Sequence, residues 1–523
     1  MKKTCLLMSM MLLTTSLAGC SGAASESHKT AAAERAEAAA TTAAAAADYY
    51  ADGSGIPAYS GEQYLDIAEN RTVSTTEESM LTFSLKVDTA AYSNVERFIE
   101  DGQLPPKEAV RTEELINYFK YDSEVVFGDE PFGIYTEVAP SPYQDGTYLG
   151  MVRVKTPEID KELLPPSNLV FLIDTSGSMY SHDKLPLLQE SFSLLTESLS
   201  KGDKISIVTY AGSAGVVLDS CDASDSAAIL TAINSLEAGG STAGSKGIET
   251  AYELAQKNFI TDGNNRVILA TDGDFNVGIT NLSDLEKLIA RKRESGIYLS
   301  VIGCGTGNIR DDIMETLAKN GNGNYSYIHS QETAQKVLVE EMGSNLFTVA
   351  SDVKAQVEFN PQNVKNYRLI GYENRMMDNR DFKDDTKDAG EIGVGTDVVI
   401  MFELELAGAD GVEYKYQEQQ ETVGELTGEL FEVRIRYKDP GTEKAKQVDR
   451  PFEVTGITTD PSSDFRFAAS VVAWAEQLRG SDFAREYSVD QMYEEAKAGL
   501  GKDQDGYRIK HLMLLSRYGK LVK

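Results

Sequence analysis

The amino-acid sequence predicts an α/β domain on a doubly wound, mostly parallel sheet, inserted between β-rich flanking segments and followed by a helical C-terminal region. Three observations predict it. Between residues 168 and 344, short continuous apolar runs alternate with segments of helical spacing, the rhythm of parallel strands covered on both faces by crossover helices. Before that stretch residues 82–87 alternate polar and apolar with a period of two, the mark of a half-buried strand, and beyond residue 346 the rhythm is again that of strands. Residues 461–523 then return to helical spacing.

Taken in order, residues 1–19 begin with Lys2 and Lys3, continue through an apolar run over 6–13 broken only by Ser9, and end in small residues before Cys20. This is the layout of a secretory signal peptide, which is removed and forms no part of the fold. The run falls well short of the roughly 20 apolar residues that span a bilayer. Residues 20–80 read as an alanine-rich flexible tether, too poor in large apolar side chains to build a core. In residues 81–165, alternation over 82–87 predicts a strand. Helices are expected over 93–99 and 111–119, on either side of Pro105 and Pro106, with strands over 135–138 and 148–154. Residues 166–346 carry strands at 169–173, 205–210, 266–270, 297–302 and 325–328. Between them lie helices over 185–195, 228–233, 248–255, 282–289 and 309–317, with a last one near 334–342. Residues 347–460 are β-rich, with strands at 353–359, 367–370, 398–406 and 431–437. Residues 461–523 hold helices at 465–478, 492–498 and 509–515.

The formal net charge of −32, from 50 Lys and Arg against 82 Asp and Glu, repels nucleic acid and leaves no basic patch for phosphates, so no nucleic-acid partner is expected. Once Cys5 is removed with the signal peptide, Cys221 and Cys304 are the cysteines that remain within the folded part. They form either one disulfide in an oxidising compartment or two buried free thiols.

The chemistry sits at the carboxyl end of the first buried strand. Asp174, Ser176 and Ser178 place a carboxylate and two hydroxyls at alternate positions of one tight loop. Ligand sites of open α/β sheets lie outside the carboxyl ends of the strands. Two further oxygen donors fall at equivalent places: Thr242, in the glycine-rich stretch 239–244 before a helix, and Asp272, directly after the strand at 266–270. Ser241 competes with Thr242 for the coordinating role, although the spacing to Ile248 favours Thr242. Taken singly, these pieces are ordinary, since Asp and Ser cap helices and Thr-Asp-Gly is a common turn. Together they make an all-oxygen set that suits magnesium, manganese or calcium and does not suit zinc or copper.

Asp-x-Ser-x-Ser, a threonine loop and Thr-Asp-Gly, in this order, resemble the metal-ion-dependent adhesion site of von Willebrand factor A domains. The resemblance implies a Rossmann-like sheet and a divalent metal, magnesium ahead of manganese or calcium. It implies that Ser176 and Ser178 ligate through their hydroxyls, and that Thr242 ligates directly or through water. Asp174 and Asp272 then hold coordinating waters. With few direct carboxylates the ion stays electrophilic, so the implied partner is a protein that presents Asp or Glu. Residues 83–95, Leu104-Pro105-Pro106, residues 113–119, residues 138–142 and residues 465–470 are similar to YfbK-like bacterial proteins, a likeness running from about residue 80 to the end. Leu17-Ala18-Gly19-Cys20 resembles the lipobox of bacterial lipoproteins. Lipidation at Cys20 would anchor the mature chain to the cell membrane on its extracytoplasmic side. The flanking strands are expected to build one platform, with the A domain inserted and its metal face outward.

The function expected is metal-dependent recognition or adhesion, without enzymatic activity. A haloacid dehalogenase-type phosphatase needs a second carboxylate two residues after the first, and position 176 is Ser. Gly501-Lys502 is followed by Asp503, which is no phosphate loop. Four histidines, His28, His182, His329 and His511, leave little for general-base chemistry. A magnesium-dependent hydrolase and a structural scaffold for envelope assembly are the alternatives.

Overall fold

Strand Ser167–Asp174 is buried along all of its eight residues, and its side chains divide between two cores. Leu169, Phe171 and Ile173 pack with Leu188, Phe192, Ile229 and Ile233. Val170 and Leu172 pack with Ile248, Tyr252, Ile289 and Leu317 on the other face. Successive residues of a strand point to opposite faces, so a strand between two helical layers must be apolar throughout. In the computed structural model, which describes residues 61–523 apart from 87, 212–213, 241–243, 274–281 and 409–427, this strand lies inside a six-stranded sheet. The order across the sheet is Asn322–Ile328, Tyr298–Cys304, Asn264–Thr271, Ser167–Asp174, Lys204–Tyr210 and Ala214–Asp222. All neighbours are parallel except the last pair.

The antiparallel edge strand Ala214–Asp222 has no counterpart in the sequence reading. None of its residues is buried and it has two register shifts against its neighbour, so it carries no alternation to detect. Cys221 lies on this edge strand and Cys304 at the end of Tyr298–Cys304, and both are free. The three strands between them make four spacings of about 4.8 Å, or roughly 19 Å. A disulfide requires Cα atoms within about 7 Å.

Around the α/β unit, strands from both of its flanks pair with one another. One sheet runs Val73–Ser74, Val364–Ile370, Asp397–Leu406, Tyr148–Lys155, Gly133–Pro140. The other runs Met376–Met377, Met80–Ser84, Thr348–Phe359, Glu429–Lys438, Ala445–Glu453, with Gly390–Gly393 also on Thr348–Phe359. Every pairing in the two sheets is antiparallel. Phe83, Val152, Val154, Val357, Phe402 and Val433 share one core between them. The α/β unit is therefore an insertion into a β-sandwich whose halves come from both sides of it in sequence. Helices Ser463–Arg479, Val489–Ala498 and Tyr507–Leu521 join helix Ala90–Glu100 against the outer face of the first sheet, through Leu149, Met151, Val399 and Met401.

Residues 61–80, expected as the end of the flexible tether, are instead part of this folded unit. They are held mainly through the main chain and polar side chains, which apolar content does not reveal. Val73 and Ser74 pair with Tyr367 and Asn366, the Thr75 hydroxyl donates to the Val364 carbonyl at 2.7 Å, and the Asn70 amide donates to the Gly371 carbonyl at 2.8 Å. The signal peptide, Cys20 and the tether up to residue 60 lie outside the described residues.

Candidate metal centre

Asp174 is the last residue of its strand and Thr271 the last of the parallel neighbour, with Ile173 level with Ala270. This register sets Asp174 beside Thr271 at one edge of the sheet, with Asp272 one residue beyond. The Thr271 hydroxyl donates to Asp174 Oδ2 at 3.2 Å and accepts from the Gly273 amide at 3.0 Å. Asp174 Oδ1 accepts from the Ser176 amide at 2.8 Å. The Ser176 and Ser178 hydroxyls are 3.0 Å apart, and Ser178 hydrogen-bonds Asp272. Four of the five sequence-derived residues thus form one continuous polar chain: Asp174, Ser176, Ser178, Asp272.

Neighbouring loops hold this turn from outside. The Thr175 amide donates to the Tyr210 carbonyl at 3.0 Å, the Gly239 amide to the Thr175 carbonyl at 2.8 Å, and the Gly177 amide to the Gly240 carbonyl at 3.2 Å. The last two contacts bring the glycine-rich loop against the Asp-x-Ser-x-Ser turn. Thr242 and Ser241 themselves lie outside the described residues. Asp174, Ser176 and Asp272 are buried while Ser178 is exposed, so the cluster opens to solvent at Ser178.

Two participants escaped the sequence reading. Lys184 Nζ donates to Asp272 Oδ2 at 3.0 Å and to Asn308 Oδ1 at 2.7 Å, and Asn308 Nδ2 donates to Asp272 Oδ2 at 3.0 Å. Asn308 follows strand Tyr298–Cys304, so it too lies beyond the carboxyl end of a strand, and that rule could have marked it. Lys184 precedes helix Leu185–Ser198 and looks like any helix-start residue.

The electrostatics of the two carboxylates differ. Burial raises the Asp174 carboxyl to about 6, against the lowering pull of the Ser176 amide and hydroxyl, and the charge of Asp272 adds to the rise. Burial also pushes Asp272 up, but the Asn308 hydrogen bond and the Lys184 ammonium outweigh it and hold that carboxyl below its ordinary value. Among the described residues no ammonium or guanidinium pairs with Asp174, so two buried carboxylates share one cation. An all-oxygen donor set with an excess of negative charge and one exposed hydroxyl fits a hard divalent cation. A separate cavity of about 270 Å³ is lined by Lys86, Asn117, Lys336, Glu340 and Glu391, among others, and by none of the four clustered residues.

Residues 168–341 match the von Willebrand factor type A domain family, and residues 58–150 match a family described as von Willebrand factor. Residues 344–521 match a family described as the C-terminal part of the uncharacterized protein YfbK. Over 464 residues, the chain is 43% identical to the uncharacterized protein YfbK of Escherichia coli (strain K12), spanning 87% of this chain and 80% of that protein. Among solved structures, a von Willebrand factor type A protein from Catenulispora acidiphila is similar over 77% of this chain and 89% of its own, at 16% identity and a TM-score of 0.40. The ArnB paralog VWA2 from Sulfolobus acidocaldarius is similar over 75% of this chain and 97% of its own, at 16% identity and a TM-score of 0.37.

Proposed function

We propose that this chain, which belongs to the YfbK-like family of von Willebrand factor type A proteins, binds a divalent cation at the Asp174–Asp272 cluster and uses it to recognise a protein partner. The observation that carries this reading is the hydrogen-bonded chain from Asp174 through Ser176 and Ser178 to Asp272, open to solvent at Ser178. Ser176 and Ser178 would hold the ion through their hydroxyls, Asp174 and Asp272 would orient its waters, and Thr242 would complete the set. Magnesium is the ion we favour, ahead of manganese and calcium. When bound, it supplies a Lewis acid that accepts an Asp or Glu carboxylate from the partner. Lys184 neutralises part of the Asp272 charge, which keeps the site from saturating the cation with its own carboxylates.

This is a binding role and not a catalytic one. We also propose that Cys20 is lipidated and that the protein works at the extracytoplasmic face of the cell membrane. Among the described residues no helix is long and apolar enough to cross a membrane.

The full chain, immobilised and challenged with envelope extract in magnesium, is expected to retain a protein that chelator releases. Asp272→Asn is expected to lose the same protein while keeping its circular dichroism spectrum. Retention of an identical set of proteins with and without chelator would refute metal-dependent recognition.

A further inference from the structure

We infer that residues 61–64 form a strap that positions the metal site from outside, an inference that rests on the metal-binding role proposed above. The link is the loop 305–310, between strand Tyr298–Cys304 and helix Asp311–Asn320. On its inner side this loop carries the site. Asn308 joins Lys184 to Asp272, and the Thr306 hydroxyl donates to Asp183 Oδ2 at 3.0 Å. Gly273 packs so closely that a Cβ there would lie 2.6 Å from the Arg310 amide nitrogen.

On its outer side the same loop is bound by the strap. The Gly61 amide donates to the Gly307 carbonyl at 2.7 Å and the Gln63 amide to the Ile309 carbonyl at 2.8 Å. The Gly307 amide donates back to Glu62 Oε1 at 2.9 Å, and Gln63 forms a parallel bridge with Arg310. The strap is itself fixed to helix Ala90–Glu100. Glu62 Oε2 accepts from the Arg97 guanidinium at 3.0 Å and from the Tyr64 hydroxyl at 2.7 Å, and that hydroxyl accepts from Asn94 at 2.8 Å. The Arg97 and Glu62 side chains are only 9% and 1% exposed, so this contact is shielded from solvent screening.

The loop needs such support. Gly305 and Gly307 both have positive φ, +80° and +89°, and glycine leaves the backbone free to adopt other conformations. Contacts to 307 and 309 bracket Asn308, so the seated strap helps to hold its amide toward Asp272. Outer partners that orient a metal-site carboxylate typically alter metal affinity by about 10–100-fold when removed. Glu62 is therefore a positioning residue for a site whose cation it does not touch.

The test combines magnesium calorimetry on the full chain with amide hydrogen exchange in the absence of metal, for wild type, Glu62→Ala, Glu62→Gln and Glu77→Ala. The last removes the same charge from an exposed position and controls for net electrostatics. Glu62→Ala is expected to speed exchange at Gly307 and to weaken magnesium binding about tenfold. Glu62→Gln keeps an acceptor for the Gly307 amide but turns a donor toward Arg97, so it should fall between wild type and Glu62→Ala in both, and Glu77→Ala should change neither. Faster exchange at Gly307 with wild-type magnesium affinity would overturn the strap inference alone. No magnesium uptake by wild type would overturn the metal reading and this inference with it.

Discussion

Asp174→Asn is expected to weaken magnesium binding by about 10–100-fold, the range found when groups that orient metal ligands are altered. The amide preserves the shape of the carboxylate. Its oxygen can still accept from the Ser176 amide, and its nitrogen can donate to the Thr271 hydroxyl that now donates to Asp174. What disappears is the charge. Asp174 is fully buried, and among the described residues it has no cationic partner, so ionisation costs free energy until a cation arrives. The metal-free variant should therefore melt at or above the wild-type temperature, while the rise in melting temperature on adding magnesium should shrink sharply. These opposite signs separate a metal site from a structural hydrogen bond. A metal-free variant that is clearly less stable, with the magnesium response intact, would place Asp174 among the residues that merely hold the fold.

Asp464→Ala should be the most damaging substitution for stability, costing about 3–5 kcal/mol, because it takes the carboxylate from buried Arg508 and leaves buried Arg153 with Asp397 alone. Asp464 lies in the first turn of helix Ser463–Arg479 and is fully buried. Its carboxylate accepts from Arg508 at 2.6 Å and Arg153 at 3.1 Å, and from the amides of Asp122 at 3.0 Å and Ser123 at 2.6 Å. One side chain thus ties the C-terminal helices to a sandwich strand and to the N-terminal flank. Urea denaturation followed by the fluorescence of Trp474, the single tryptophan, reports on that same helix. Asp482→Ala, which breaks an exposed pair with Arg485, should leave the midpoint unchanged. Acid should act in the same direction as Asp464→Ala. Burial raises the Asp464 carboxyl, but the Ser123, Asp122 and Arg508 hydrogen bonds outweigh it and hold it below its ordinary value. A depressed folded pKa stabilises fully above the unfolded value near 4, and that stability is lost as pH falls below it. Asp464→Ala should flatten this part of the acid transition.

The α/β unit was legible because a strand covered on both faces has to be apolar at every position, as residues 169–173 are. Strands without that constraint were missed. Ala214–Asp222 lies exposed at an edge, and Ala445–Glu453 presents charged residues to solvent, so neither shows a buried face. Alternation over residues 82–87 indicated a strand but could not name its partner, Thr348–Phe359, far along the chain. Residues 61–80 resemble a tether in composition because main-chain pairing leaves no mark there.

At the site, Asp174, Ser176, Ser178 and Asp272 could be found because strand ends are where open sheets gather ligand groups. Asn308 obeys the same strand-end rule, whereas Lys184 joins the site through hydrogen bonds between loops that no local spacing encodes. The strap is further removed still, since Glu62 reaches the site only through a loop nearly 250 residues away in sequence, at the 245-residue separation from Gly307.

Manganese titrated into the full chain, followed by electron paramagnetic resonance, tests most directly whether these oxygens hold a cation. The expected result is one bound ion per chain, displaced by magnesium and weakened in Ser178→Ala, the substitution at the exposed end of the cluster. A spectrum of fully hydrated manganese throughout the titration would contradict it.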